Sequence, residues 1–171
     1  MNLKSIVAMS CIFVFLAGAR LAQSGTVEHR GKQQDKQFLR AIAIADMTEA
    51  HLGEMAQSKA AQTAVKDLGR TIAKDETEAY EQLTVLASKV GESLPKGIDA
   101  RKSAAIRTLT TRKGGDFDRD FLRNEIADER KVISTLQLEV THGTNPDIKA
   151  WASQTVAARQ QELQKAQLLA K

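Results

Sequence analysis

Apolar residues recur in alternating steps of three and four over four long stretches of the chain, and each such stripe is one face of an amphipathic helix. The first stripe is Phe38, Ile42, Ala45, Glu49, Leu52 and Ala56, and the second is Val65, Gly69, Ile72, Glu76, Ala79, Leu83, Leu86 and Val90. The third is Leu122, Ile126, Glu129, Ile133, Leu136 and Val140. The last stretch admits two readings: Ile148, Ala152, Thr155, Arg159, Glu162, Ala166, Leu169, or Ala152, Val156, Arg159, Leu163, Ala166. A glutamate interrupts each of the first three stripes once, near its midpoint, and the first reading of the fourth adds Glu162. Strand-like alternation is missing, and no internal repeat is apparent beyond a symmetry of two hairpins.

Turn and cap residues divide these stripes into elements. Asp35 suits the N-cap of a first helix reaching about Ala60, and Thr63 suits that of a second reaching Val90. Gly91 then offers a left-handed stop and Pro95 prevents resumption. A third long helix is predicted from about Asp116 to His142, after the turn Gly114-Gly115. The fourth opens at Asn145-Pro146, with asparagine as cap and proline at the first helical position, and runs to the C-terminus. Only a few residues separate the members of each pair, so each pair forms an antiparallel hairpin. A connection from Gly91 to Gly115, holding one short helix over about Asp99 to Arg112, joins the hairpins. That is the connectivity of an all-α, ferritin-like antiparallel four-helix bundle. A helix of about 26 residues is roughly 40 Å long, a length such a connection can span.

Composition agrees: hydrophobic residues make up 42% but aromatics only 4%, and of the two prolines one follows a helix stop and the other opens the last helix. The first residues change the picture of the N-terminus. Lys4, an apolar run from Ile6 to Ala19 and the small residues after it have the layout of a secretory signal peptide. Cleavage is expected after Ala17-Gly18-Ala19 or after Ala22-Gln23-Ser24. The domain division is then a signal segment at 1–24, a flexible tether at 25–34 and the bundle at 35–171. A retained anchor is the alternative, but a run of about fourteen residues is short of the roughly twenty that span a bilayer. Cys11 lies inside the apolar run and not at its end, which disfavours a lipoprotein.

Removal of the segment takes away the one cysteine, so the mature chain has neither thiol nor disulfide chemistry. Lys4 and Arg20 leave with it, which lowers the net charge from +4 to +2. With no polybasic block and no interleaved aromatics, nucleic acid is not an expected partner. The expected location is periplasmic or extracellular, with no transmembrane segment after cleavage and an envelope component as partner.

The glutamates carry the candidate chemistry. Midpoints of antiparallel helices of similar length lie at one level, so Glu49, Glu76 and Glu129 meet in the core, with Glu162 joining under the first reading of its stripe. Carboxylates so close must be neutralised by protons, by a cation or by a metal. Oxygen ligands from facing helices are how bundles hold iron or manganese. The di-iron pattern asks for Glu-x-x-His, however, and Ala79, Val132 and Lys165 stand where those histidines would be. The alternatives are an internal ion network, in which Arg159 pairs with the acids and no metal binds, and glutamates at the stripe edges that reach solvent. Tyr80 and Trp151 read as packing residues. Gly114-Gly115-Asp116-Phe117-Asp118 lacks the repeated oxygen positions of a calcium loop and reads as a turn and helix cap.

Several stretches also match a known family. Glu49-Ala-His-Leu-Gly53, Ala73-Lys-Asp75, Phe117-Asp118-Arg119-Asp120-Phe121-Leu122 and Asn145-Pro146-Asp147-Ile148-Lys149 occur in the order and spacing of the bacterial exported family called domain of unknown function 4142, often labelled an outer-membrane protein. From about Asp35 to Leu169 the chain resembles that family, which implies a ferritin-like bundle and export but transfers no reaction. The resemblance implies a glutamate at the position of Glu49 and histidines at those of Glu76, Glu129 and Glu162. This chain has glutamate at all of them, an all-carboxylate set that favours harder cations or no transition metal. Two functions are therefore expected from the residues: a non-catalytic binding protein of the envelope, or a metal-binding protein that uses the core carboxylates.

Overall fold

The computed structural model describes the backbone of residues 18–98 and 100–171, and side chains from Arg30 onward apart from Ala100, Arg101 and Ala105. It contains the helices α1 (Gly18–Lys59), α2 (Thr63–Lys89), α3 (Ala100–Thr110), α4 (Gly114–His142) and α5 (Pro146–Leu169), and no strand among the described residues. Two hairpins, α1–α2 and α4–α5, pack side by side, with α1 against α4 and α2 against α5. The α4–α5 turn lies beside Asp35 in α1, and the α1–α2 turn beside Asp118 in α4. All neighbouring helices are thus antiparallel. The chain must therefore pass from one end of the bundle to the other between α2 and α4, the long crossover of the ferritin-like connectivity.

The crossover carries α3, whose Ile106 and Leu109 are buried in the core and whose Lys102 is 2.9 Å from Asp128 of α4. The helix α2 stops as its glycine predicts. Gly91 has φ +63°, its N–H donates to Ser88 O, and the N–H of Glu92 donates to Ala87 O at 2.8 Å, the double bond of a Schellman ending. Glu92 then pairs with Lys36 and Arg40 of α1 and fixes where the crossover begins. At the other end of the second hairpin, Asn145 caps α5 by accepting from the N–H groups of Asp147 and Ile148.

The first helix begins earlier than its stripe predicts. The stretch 25–34, expected as a tether, is part of α1, which runs unbroken from Gly18. Tertiary packing supplies what the unpatterned sequence lacks: Gly31 is buried so close to Thr144 that an added Cβ would lie 2.1 Å from its methyl group. Asp35 is accordingly not an N-cap, and the proposed signal segment lies outside the described residues up to position 17 and in α1 from 18 to 24. Thr63 is not a cap either, for Gln62 holds that place without a side-chain bond. Asp116 falls inside the first turn of α4, paired with Arg119, while Asp99 lies outside the described residues.

Asp35 and Asp118 serve instead as reciprocal clamps. Asp118 accepts from the N–H groups of Ala61 and Gln62, both at 2.9 Å. Asp35 accepts from those of Thr144 at 2.8 Å and Asn145 at 2.9 Å, and from the Thr144 hydroxyl. Each hairpin turn is held by the first helix of the other hairpin. The correspondence reaches into the sequence, where Asp35-Lys-Gln-Phe38-Leu39-Arg40 is repeated as Asp118-Arg-Asp-Phe121-Leu122-Arg123. At the same separation Val65 matches Ile148, Leu68 matches Trp151 and Gly69 matches Ala152, all of them buried. The bundle is therefore two copies of one helical hairpin related by a pseudo-two-fold axis, a repeat hidden by substitution on the exposed faces.

Two apolar halves make up the interior. One gathers Leu52, Met55, Ile72, Phe117 and Phe121 with the end of α5, the other Phe38, Leu39, Leu83, Leu136, Ile148 and Trp151. Trp151 packs edge-on to Phe38 and donates its indole N–H to Gln82, while Tyr80 donates to Pro95 O, as expected of packing residues. Between the halves lies a charged layer.

Candidate functional site

The first reading of the α5 stripe is the one adopted: Ile148, Ala152, Arg159, Glu162 and Ala166 are buried, whereas Val156 and Leu163 are only half-buried. Glu49 of α1, Glu76 of α2, Glu129 of α4 and Glu162 of α5 consequently meet at mid-height, all 5% exposed or less. Arg159 enters the same layer and is 2% exposed. Its Nη1 donates to Glu49 Oε2 at 2.7 Å, to Glu129 Oε1 at 3.0 Å and to Glu76 Oε1. Its Nη2 donates to Asp46 Oδ1 at 2.6 Å and pairs with Glu76, and Glu162 stands 3.9 Å from Nη1.

All four glutamates and the arginine singled out in the sequence thus come together. The edge-of-stripe alternative is overturned, because these glutamates do not reach solvent. Two members of the layer escaped sequence reasoning. Asp46 and Glu125 lie one helical turn before Glu49 and Glu129, at the three- and four-residue spacings that share a face. That spacing was the available signal. Glu125 is 2% exposed, and neither of its oxygens has a hydrogen-bond partner. Asp46 Oδ2, Glu49 Oε1, Glu129 Oε2 and Glu162 Oε1 are likewise buried without one.

One guanidinium faces six carboxyl groups, and the electrostatics follow from that imbalance. Burial, opposed by Arg159, raises Asp46 to about 7 and Glu162 to about 7. Burial and the charge of Glu49 raise Glu129 to about 9. Glu76 and Glu125 are pushed well above the carboxylate range, again chiefly by burial. Burial disfavours the Arg159 cation, but Glu49, Glu76, Asp46 and Glu129 outweigh it and hold the proton on the guanidinium more firmly than usual. The neighbouring charges of Glu49 and Asp46 add to the rise of Glu76, and that of Glu49 to the rise of Glu129. Two carboxyls in contact share a proton or a cation, because both cannot be ionised side by side in a dry interior.

As possible ligands, Glu49, Glu76 and Glu129 offer oxygens that all lie within 4.8 Å of one another. Hard cations take such oxygen sets, whereas soft ones prefer sulfur and nitrogen. Among the described residues no histidine supplements them, for His51 and His142 are exposed. Arg159 and Glu76 are 83 residues apart, the separation that relates the two hairpins. By the same repeat Asp46 matches Glu129. The layer is therefore pseudo-symmetric at its centre, with opposite charges on one pair of matched positions.

Comparison with solved structures supports the fold. The chain is similar to a DUF305 fragment from Deinococcus radiodurans, with a TM-score of 0.70 and 18% identity over 80% of this chain and 95% of that one. It is similar to CopM in its Cu(II)-bound form, with a TM-score of 0.65 and 17% identity over 80% and 95% of the two chains. A conserved hypothetical protein from Mycobacterium tuberculosis gives a TM-score of 0.62 and 13% identity over 81% of this chain and 91% of that one. A search of the curated proteins finds no match. Among the described residues no helix is long and apolar enough to cross a membrane. The resemblance seen in the helix openings extends over nearly the whole chain: the family described as domain of unknown function DUF4142 matches residues 20–169, and this protein belongs to it.

Proposed function

We propose that this is an exported protein that works by binding and not by catalysis, and that its ligand is a hard divalent cation of the manganese, iron(II) or calcium type held by Glu49, Glu76 and Glu129 with Glu162 beside them. The observation that carries the reading is the charge imbalance of the central layer, where five carboxyl groups share the single positive charge of Arg159 and Glu125 has no partner at all. The orphaned oxygens of Glu125, Glu129 and Glu162 add ligand capacity that the arginine does not use. CopM has been crystallised with silver and with copper in both oxidation states. That fold-level likeness supports metal binding in such a bundle, but an all-oxygen set suits harder ions than silver or Cu(I). A bound divalent ion would supply positive charge only, and Glu49, Glu76 and Glu129 would orient it from three different helices.

The signal-like start of the sequence supports export, and a mature N-terminus at Met1 in envelope fractions would overturn it. For the metal, purified protein is incubated with manganese, iron(II) or calcium, dialysed and analysed for bound metal, beside a Glu76→Gln/Glu129→Gln variant. About one ion per chain is expected in the wild type and none in the variant. A second reading rests on Arg159, whose Nη1 stands where the three oxygens converge: the layer is then a closed ion network completed by protons. Wild-type protein free of all three metals after dialysis would establish that reading and refute the first.

A further inference from the structure

We infer that Arg159 is an internal cation that competes with a divalent ion for one point in the core, so that this arginine, and not the supply of carboxylates, limits how tightly the bundle holds metal. The inference rests on the metal-binding reading for its ligand class, but its geometric basis is separate. Nη1 of Arg159 donates to oxygens of Glu49, Glu76 and Glu129, the same three residues whose oxygens lie close enough together to share an ion. A guanidinium nitrogen already stands where those ligands converge. Both occupants cannot be there together, and an arginine cannot make room by losing its proton.

The pseudo-two-fold repeat says what the position is. Arg159 matches Glu76 across the 83-residue separation, as Glu129 matches Asp46. A carboxylate at 159 would complete a symmetric ring of four acids, Asp46, Glu76, Glu129 and residue 159, one from each long helix. The second, independent sign that the layer is built for more positive charge than one guanidinium is Glu125. It is almost fully buried and both its oxygens lack a partner, and Arg159 donates to neither. The arginine is thus a specificity-determining substitution in an otherwise anionic centre.

The test measures manganese(II) and calcium(II) binding by isothermal titration to the full chain, wild type against Arg159→Gln and Arg159→Glu, with the fold checked by circular dichroism. Arg159→Gln is expected to bind one manganese per chain at least tenfold more tightly than wild type, and Arg159→Glu more tightly again. Affinity within twofold of wild type in Arg159→Gln overturns the inference while leaving the proposed function standing. If wild type binds no metal but Arg159→Gln binds one equivalent, the proposed function fails and the inference holds. Binding by neither protein overturns both. Should Arg159→Gln fold only with metal present, manganese-dependent recovery of the helical signal, missing in manganese-free buffer, counts in support. Should it fold under no condition, Arg159→Lys decides: a buried lysine can give up its proton to make room for the ion where arginine cannot, and binding no tighter than wild type overturns the inference.

Discussion

Set one hairpin of the bundle on the other, and α2 brings Glu76 to the place where α5 brings Arg159. Around that place the two agree closely: an aspartate clamp, a phenylalanine and leucine one turn on, matched buried positions on the returning helix, and an acid at Asp46 or Glu129. They differ again at the acids that lie off the axis, since Glu125 stands where the first hairpin has Ile42, and Glu49 where the second has Val132. Equivalent sites in one backbone plan can hold either sign of charge, provided the partner hairpin holds enough of the other. The difference teaches that both hairpins supply acids to the layer but only the second supplies the cation, so the buried acids of the first depend on the second for their counter-charge.

The largest expected effect breaks that balance from one side only. Arg159→Met should destabilise the metal-free protein by about 3–5 kcal/mol at pH 7, the usual cost of removing one partner from a buried charge cluster. Glu76→Gln, at the matched position, should cost far less or raise the urea midpoint, since it removes surplus negative charge. Urea unfolding of both variants measures the contrast, and equal losses would refute it.

The hairpins also differ in how closely their helices approach. A Cβ on Gly53 would lie 2.5 Å from the carbonyl oxygen of Gly69, which is backbone and cannot swing away. Gly53→Ala should therefore cost about 1–3 kcal/mol by overpacking. In the second hairpin Gly69 is replaced by Ala152, which already has a Cβ in its buried place, and Ala152→Gly should cost only about 1 kcal/mol. Thermal midpoints of the two variants rank them.

The clamps test the likeness and not the difference. Asp118→Ala and Asp35→Ala each leave turn N–H groups unpaired, and each should cost about 1–3 kcal/mol, with Asp35→Ala the larger because it also frees the Thr144 hydroxyl. A tenfold disparity in unfolding constants between them would break the pseudo-symmetry.

A slope in pH reads the acids of both hairpins together. The buried acids have folded-state values above their unfolded ones, so folding binds protons and the contribution is full below the unfolded carboxylate range. It is lost as pH rises through about 7 for Asp46 and Glu162 and about 9 for Glu129. Metal-free protein should therefore melt at steadily lower temperature from pH 5 to pH 9, and Glu129→Gln should flatten the upper part of that decline.

Much of this architecture was legible in the amino-acid pattern because three- and four-residue steps, Gly91 and Asn145-Pro146 act locally. The mid-height acids could be traced too, since each interrupts an apolar stripe, but the pattern left a solvent-reaching edge position open until the burial of all four closed it. What escaped depends on the other hairpin. Asp35 looked like a cap because it precedes an apolar stripe, yet its partners lie more than a hundred residues away. The run 25–34 carries no apolar period, and Thr144 opposite Gly31 explains why it is nonetheless helical. Asp46 and Glu125 sit beside the traced stripes, at positions that become interior only once a third helix covers them. The repeat stayed hidden because exposed residues differ throughout and because buried matches also break, at Glu76 and Arg159, Ile42 and Glu125, and Glu49 and Val132.

The reciprocal clamps have a consequence in time. Turns at the ends of a bundle ordinarily fray first and exchange their amide hydrogens within seconds, whatever the stability of the helices behind them. Here the amides of Ala61, Gln62, Thr144 and Asn145 are tied across to a helix of the opposite hairpin. They can open only when the hairpins part. These turns therefore keep the clock of the whole domain, and their amides should exchange only as fast as the two hairpins separate.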